Sequence, residues 1–127
     1  MRTSRSLRAP RVAVAVLLGG LLHFQAASAA EEARKQPTPA EQGKEIAFNN
    51  RKGNCLACHM IEGSNSPGNI GPVLMAMQAR FPDKAKLRAQ IWDAQVANSN
   101  TSMPPFGKHE ILTAKEIDQV VEFIWSL

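Results

Sequence analysis

The sequence predicts an all-α domain of three main helices joined by long loops, and three observations carry that prediction. Apolar residues recur at helical spacing in separate segments, and stretches rich in Gly, Pro, Asn and Ser lie between them. No segment alternates in the manner of a strand for more than a few residues, and Tyr, a strand-favouring residue, is absent.

The amino-terminal segment is expected to be removed. Arg2, Arg5, Arg8 and Arg11 are followed by the apolar run Val12 to Leu22 and then by the small residues of QAASAA. This is the pattern of a secretory signal peptide, residues 1–30, cleaved near Ala29 or Ala30. Its apolar stretch is roughly 10 to 15 residues, whereas a membrane-spanning helix needs about 20, so no membrane anchor is expected after cleavage. Residues 31–127 carry 11 Lys and Arg against 11 Asp and Glu, so the whole-chain pI near 9.4 belongs mostly to the signal peptide. A balanced charge gives no reason to expect nucleic acid or an anionic membrane as partner. The 97 residues after the signal suffice for one domain. A domain this small often needs a disulfide, metal or cofactor to supplement its core.

Residues 31–38, with charges, two prolines and no apolar periodicity, read as an exposed leader, and the domain spans 39–127. The first helix starts at Thr38 or Pro39 and runs to about Asn50, with Ile46, Ala47 and Phe48 as its apolar content. Gly43 and Ala47, four apart, form a smooth spot where another helix could approach. IEGSNSPGNIGPV is loop. Asp83 caps a second helix over DKAKLRAQIWDAQVAN, with Leu87, Ile91 and Ala94 on one face. NSNTSMPPFGKHEI is again loop. Thr113 and Glu116 then form a T-x-x-E capping box before Ile117, Val120, Val121 and Ile124, the clearest helical pattern in the chain. Trp92 and Trp125 are expected in the core, and Arg80, Lys84, Lys86 and Arg88 as a solvated basic helix face rather than a docking patch.

The chemistry concentrates in NCLACHM, residues 54–60, which holds both cysteines of the chain. A zinc site would need four ligands, and the region after the signal offers only Cys55, Cys58, His59 and His109, without the usual paired-histidine spacing. A redox disulfide would be expected at a helix start within a βαβ pattern, and does not require the histidine. Covalent haem attachment uses every residue of C-x-x-C-H: Cys55 and Cys58 add their sulfurs across two vinyl groups, and His59 becomes an axial ligand of the iron. One haem c is therefore expected, with a large flat apolar surface for the helices to pack around.

A second axial ligand could come from Met60, Met75, Met77, Met103 or His109. Met60 adjoins His59 and cannot reach the opposite haem face, and Met75 and Met77 read as core fillers. Met103 is the preferred choice, since Pro104 and Pro105 restrict the backbone behind it. His109 reads as a partly exposed loop histidine. The other ring nitrogen of His59 needs an orienting acceptor. The turn at Ile70, Gly71 and Pro72 could supply it, although by spacing alone it could equally be an ordinary surface turn.

With C-L-A-C-H, a G-P loop, an M-P-P loop and a closing amphipathic helix in that order, the chain resembles class I cytochromes c over nearly all of the region after the signal. The resemblance implies that the first and last helices cross near the haem and that the Pro72 carbonyl orients His59. The longer strings GNCLACH, PGNIGPVL, ARFPDKAKLRAQIWDA and MPPFGKHEIL, covering residues 53–127, resemble the X subunits of SoxAX complexes of bacterial thiosulfate oxidation. That narrower resemblance implies a periplasmic monohaem cytochrome with His59 and Met103 as iron ligands, non-catalytic itself, within a heterodimeric L-cysteine S-thiosulfotransferase. Its implied partners are a SoxA-type haem subunit, which joins thiosulfate oxidatively to a carrier-protein cysteine, and a soluble cytochrome that accepts the electrons. No third cysteine or second haem motif follows the signal, in keeping with an accessory electron-transfer role. A free-standing soluble electron carrier of the same fold is the alternative.

Overall fold

The structure, a computed structural model, describes residues 36–127; the predicted signal peptide and most of the leader lie outside the described residues. Helix α1, Pro39–Phe48, starts with Pro39 behind the capping residue Thr38. The Thr38 hydroxyl accepts from the Glu41 amide at 3.2 Å, and the Glu41 carboxylate accepts from the Thr38 amide at 2.7 Å. This reciprocal cap satisfies two otherwise unpaired donors. Its T-P-A-E spacing matches the T-A-K-E of residues 113–116, the one capping box predicted from sequence.

Helix α2 is the single turn Met77–Arg80, α3 is Lys84–Trp92 and α4 is Ala114–Trp125. Asp83 caps α3 through the Ala85 amide at 2.8 Å, as predicted. The second helix stops at Trp92, however, six residues short of the predicted end at Asn98. Asp93 takes extended angles (φ −152°, ψ 90°) and its carboxylate accepts from the Gln95 amide at 3.1 Å, which starts a separate 3-10 turn at Ala94–Val96. An aspartate that bonds the backbone two residues ahead competes with helix continuation.

The core forms where α1 crosses α4. Helix α4 buries Ile117, Val120, Val121, Phe123 and Ile124, and α1 buries Gly43, Ile46 and Ala47 against them. A Cβ on Gly43 would sit 1.9 Å from the Gln119 carbonyl oxygen, so only glycine lets the two backbones touch. Phe48 meets Phe123 edge-on with ring centroids 6.1 Å apart, a geometry the ring quadrupoles favour. Leu87, Ile91 and Ala94 are all buried, as their spacing predicts.

The polar face of α3 is also used. Lys84 pairs with Glu122 at 2.7 Å and Arg88 with Asp118 at 2.6 Å, both across to α4. Three of the four residues read as a solvated basic face therefore have partners: Arg80 donates to the Val73 carbonyl at 2.8 Å, and Lys86 alone stays simply exposed. The exposed ion pairs each contribute about 1 kcal/mol at most, so they orient α3 more than they stabilise it. Trp125 is half-buried and donates to the Phe81 carbonyl at 3.0 Å, whereas Trp92 is 36 % exposed, with the Arg88 guanidinium 5.1 Å from its ring centroid, a departure from the expected core position. Met75 is likewise no core filler, at 62 % exposed, while Met77 is one, at 2 %.

Candidate haem site

Asn54, in the left-handed conformation (φ 47°), turns the chain into a 3-10 turn at Cys55–Ala57. Asparagine tolerates that conformation better than most residues. In a 3-10 helix residues three apart eclipse, so the C-x-x-C spacing puts Cys55 and Cys58 on the same side of the turn. The His59 amide reaches back to the Cys55 carbonyl at 2.9 Å and fixes the histidine directly behind them.

The loop over residues 61–74 folds back along this motif and is bonded to it. Gly68 donates to the Leu56 carbonyl at 2.7 Å, Gly71 to the Cys58 carbonyl at 2.8 Å and Leu74 to the Met60 carbonyl at 2.9 Å. Gly71 lies against the His59 imidazole so closely that a Cβ would sit 2.4 Å from Cε1, and a Cβ on Gly68 would sit 1.9 Å from the Ala57 carbonyl oxygen. The sequence marks these glycines only as loop residues; their close approaches become visible in the fold.

His59 Nδ1 lies 2.7 Å from the Pro72 carbonyl oxygen. A carbonyl can only accept, so the proton is on Nδ1 and the Nε2 lone pair is free to bind a metal. The IGP segment is thus not an ordinary surface turn. Burial pushes the Cys55 thiol up to about 11, the reverse of a thiol poised for disulfide exchange, where the pKa is depressed. Among the described residues no group of three or more His, Cys, Asp or Glu side chains could hold a bare metal ion.

Cys55, Cys58, His59 and Met103 line one cavity of about 770 Å³, walled by apolar side chains including Leu74, Phe81, Leu87 and Ile91. That volume lies within the range of small-molecule and cofactor sites, and two thiols, one oriented imidazole and apolar walls are the donor set a covalently bound haem requires. The residues present therefore fit the group. Of the five candidates for the second axial position, Met77 and Met103 border the cavity. Met77 is packed in the core with the Arg80 guanidinium 3.4 Å from its sulfur, and Met60, Met75 and His109 are exposed.

Met103 is half-buried, and its amide donates to the Thr101 hydroxyl at 3.2 Å. The far side of its loop is clasped to the end of α3. The Gly107 and Lys108 amides donate to the Trp92 carbonyl at 3.1 and 3.3 Å, and the Lys108 ammonium pairs with buried Asp93 at 2.9 Å. The Lys108 hydrogen bond is the main reason that the Asp93 carboxyl titrates below its ordinary range. Asp93 as cap and latch is the functional-loop residue that the sequence reading misses; the D-x-Q start of the short turn was its only signal.

Residues 40–127 match the family described as cytochrome c. Among solved structures, the chain is similar to one described as the crystal structure of SoxXA from P. pantotrophus, at 30% identity over 72% of this chain and 83% of that chain, with a TM-score of 0.63. No curated protein sequence matches significantly. With its all-α arrangement around a C-x-x-C-H cavity, the chain belongs to the cytochrome c family, as a class I fold of the SoxX type.

Proposed function

We propose that the chain is a periplasmic monohaem cytochrome, exported and cleaved of its signal peptide, that serves as the electron-accepting subunit of a SoxAX-type heterodimer. One haem c is bound through Cys55 and Cys58, with His59 Nε2 and the Met103 sulfur as iron ligands. The bound haem supplies a one-electron couple. The protein's part is to hold it: the thioether bonds fix its position, the Pro72 carbonyl fixes the His59 ring and makes it a stronger donor, and the apolar walls keep water from the iron. The observation that carries this reading is the 2.7 Å bond from His59 to Pro72 inside the cavity that Cys55, Cys58 and Met103 share.

The partner reading rests on the cavity's rim. Ile70 (71 % exposed) and Ile111 (44 %) border the cavity, and exposed Val73 and Met75 follow Ile70 along the same loop. The rim also carries Arg51, Lys52 and Arg80, but its exposed apolar side chains, on a chain with balanced charge, suit a stable partner better than a carrier that relies on electrostatic steering. The partner in this reading is a SoxA-type haem subunit that couples thiosulfate to a carrier-protein cysteine, and the electrons pass on to a soluble cytochrome. Purification from native periplasm tests it. The chain is expected to co-elute with a larger haem protein and to remain associated as salt is raised, because apolar contacts are not screened. Elution alone at every ionic strength would leave the free-standing carrier as the function.

A further inference from the structure

Arg80 borders the cavity, as Arg51 does, and its contacts have no role in holding helix to helix. Its Nη1 donates to the Val73 carbonyl at 2.8 Å and lies 3.4 Å from the Met77 sulfur. Val73 follows Pro72, whose carbonyl accepts from His59 Nδ1 at 2.7 Å. The guanidinium therefore grips the chain one peptide beyond the group that orients the histidine. That grip is needed because Pro72 and Val73 are both exposed and proline contributes no amide of its own to a ladder. The loop is bonded to the motif at Gly71 and Leu74 on either side, and Arg80 supplies the bond between them.

We propose that Arg80 is a positioning residue for the His59 ligand, acting through the Val73 carbonyl to keep the Pro72 carbonyl on Nδ1. The inference rests on the haem reading above and deepens it by naming what sets the strength of the His59 hydrogen bond. A charge-assisted bond from a planar guanidinium is roughly twice as strong as a neutral one, and its Nη1 reaches the Val73 carbonyl and the Met77 sulfur together. Lysine can supply the charge but not the rigid planar group that aims one N–H donor at this carbonyl. When the bond is lost, the His59 proton opens to solvent more often, and the imidazole becomes a weaker donor to the iron.

The test uses the full chain carrying its haem and reads exchange of the His59 Nδ1 proton by NMR, with the reduction potential as a second measurement. Arg80→Gln is expected to accelerate that exchange by about tenfold while the Val120 amide in the core keeps its rate. Lys86→Gln, which removes a positive charge from exposed α3, is expected to leave the Nδ1 proton unchanged. Arg80→Lys keeps the charge, and is expected both to accelerate exchange and to raise the potential, since a weaker histidine donor stabilises oxidised iron less; a purely electrostatic role would leave the potential where it was. Wild-type exchange in both Arg80 variants, or equal acceleration at Val120, would overturn the proposal. A wild-type chain without covalent haem would instead sink the functional reading, and this inference with it.

Discussion

The two loops that border the haem cavity are held in different ways. The His59 side is one stretch of chain, residues 53–74, that folds back on itself: three backbone bonds tie the 68–74 segment to the motif, and the Pro72 carbonyl receives the His59 proton. The Met103 side is a loop hung from another element, clasped at Trp92 and Asp93 behind residues 105–109; the methionine packs against the core, and among the described residues its own hydrogen bond is to Thr101. Local bonding of short sequence separation should preorganise the histidine, whereas the methionine depends on α3 keeping its place. The weaker half of the site is therefore the Met103 half, and ligand loss under stress is expected there first.

The largest effect belongs to His59→Ala, which removes both the nitrogen proposed to bind the iron and the hydrogen bond to Pro72. Covalent haem attachment is expected to fall to a small fraction of wild type, read from haem-stained protein after denaturation. Loss of the same size from Met103→Ala would erase the contrast between the two sides. Next comes Gly43→Ala, whose added Cβ would sit 1.9 Å from the Gln119 carbonyl oxygen and force α1 off α4; it is expected to cost about 3 kcal/mol in denaturant unfolding.

The glycines beneath the two loops sharpen the comparison. A Cβ on Gly71 meets an imidazole already tied to Pro72, while a Cβ on Gly107 meets the Trp92 ring at 2.2 Å, and that ring is 36 % exposed and lies outside the core. Gly71→Ala should cost about 2 kcal/mol and shift the haem spectrum; Gly107→Ala should cost about 1 kcal/mol and leave the spectrum near wild type. Equal spectral shifts would mean that the two sides are equally rigid.

The smallest effect is that of acid. Lys52, two residues before Asn54 and the haem motif, pairs with Glu116 at the start of α4, and this bond, helped by the Thr113 amide, holds the Glu116 carboxyl at about 2 against an ordinary 4.5. A depressed carboxyl stabilises the fold fully above its unfolded value. That contribution is lost as pH falls from about 4.5 towards about 2. Solvent reaches the pair, so about 1 kcal/mol is expected, and Glu116→Gln should flatten the acid limb of a stability-against-pH curve in that window.

Much of this was legible in the sequence because it is local. C-x-x-C-H, the T-A-K-E box and the Asp83 cap each act within a few residues, and Leu87, Ile91 and Ala94 obey a periodicity that packing respects. What stayed hidden depends on partners far along the chain. Asp93 ends α3 because its side chain has both a local amide and Lys108 to bond, and the lysine is fifteen residues away. Gly71 and Gly107 read as loop glycines until the ring that each one accommodates is in place. The Trp92 position misled for the same reason: its large apolar ring covers one glycine at the surface instead of filling the core.

The most direct test is the optical spectrum of the oxidised, haem-loaded chain with and without the Met103 sulfur. The sulfur-to-iron charge-transfer band expected of methionine ligation should be present in the wild type, absent in Met103→Ala and retained in Met77→Leu, since Met77 is a buried core side chain. Loss of the band in Met77→Leu with its retention in Met103→Ala would contradict an iron held between His59 and Met103.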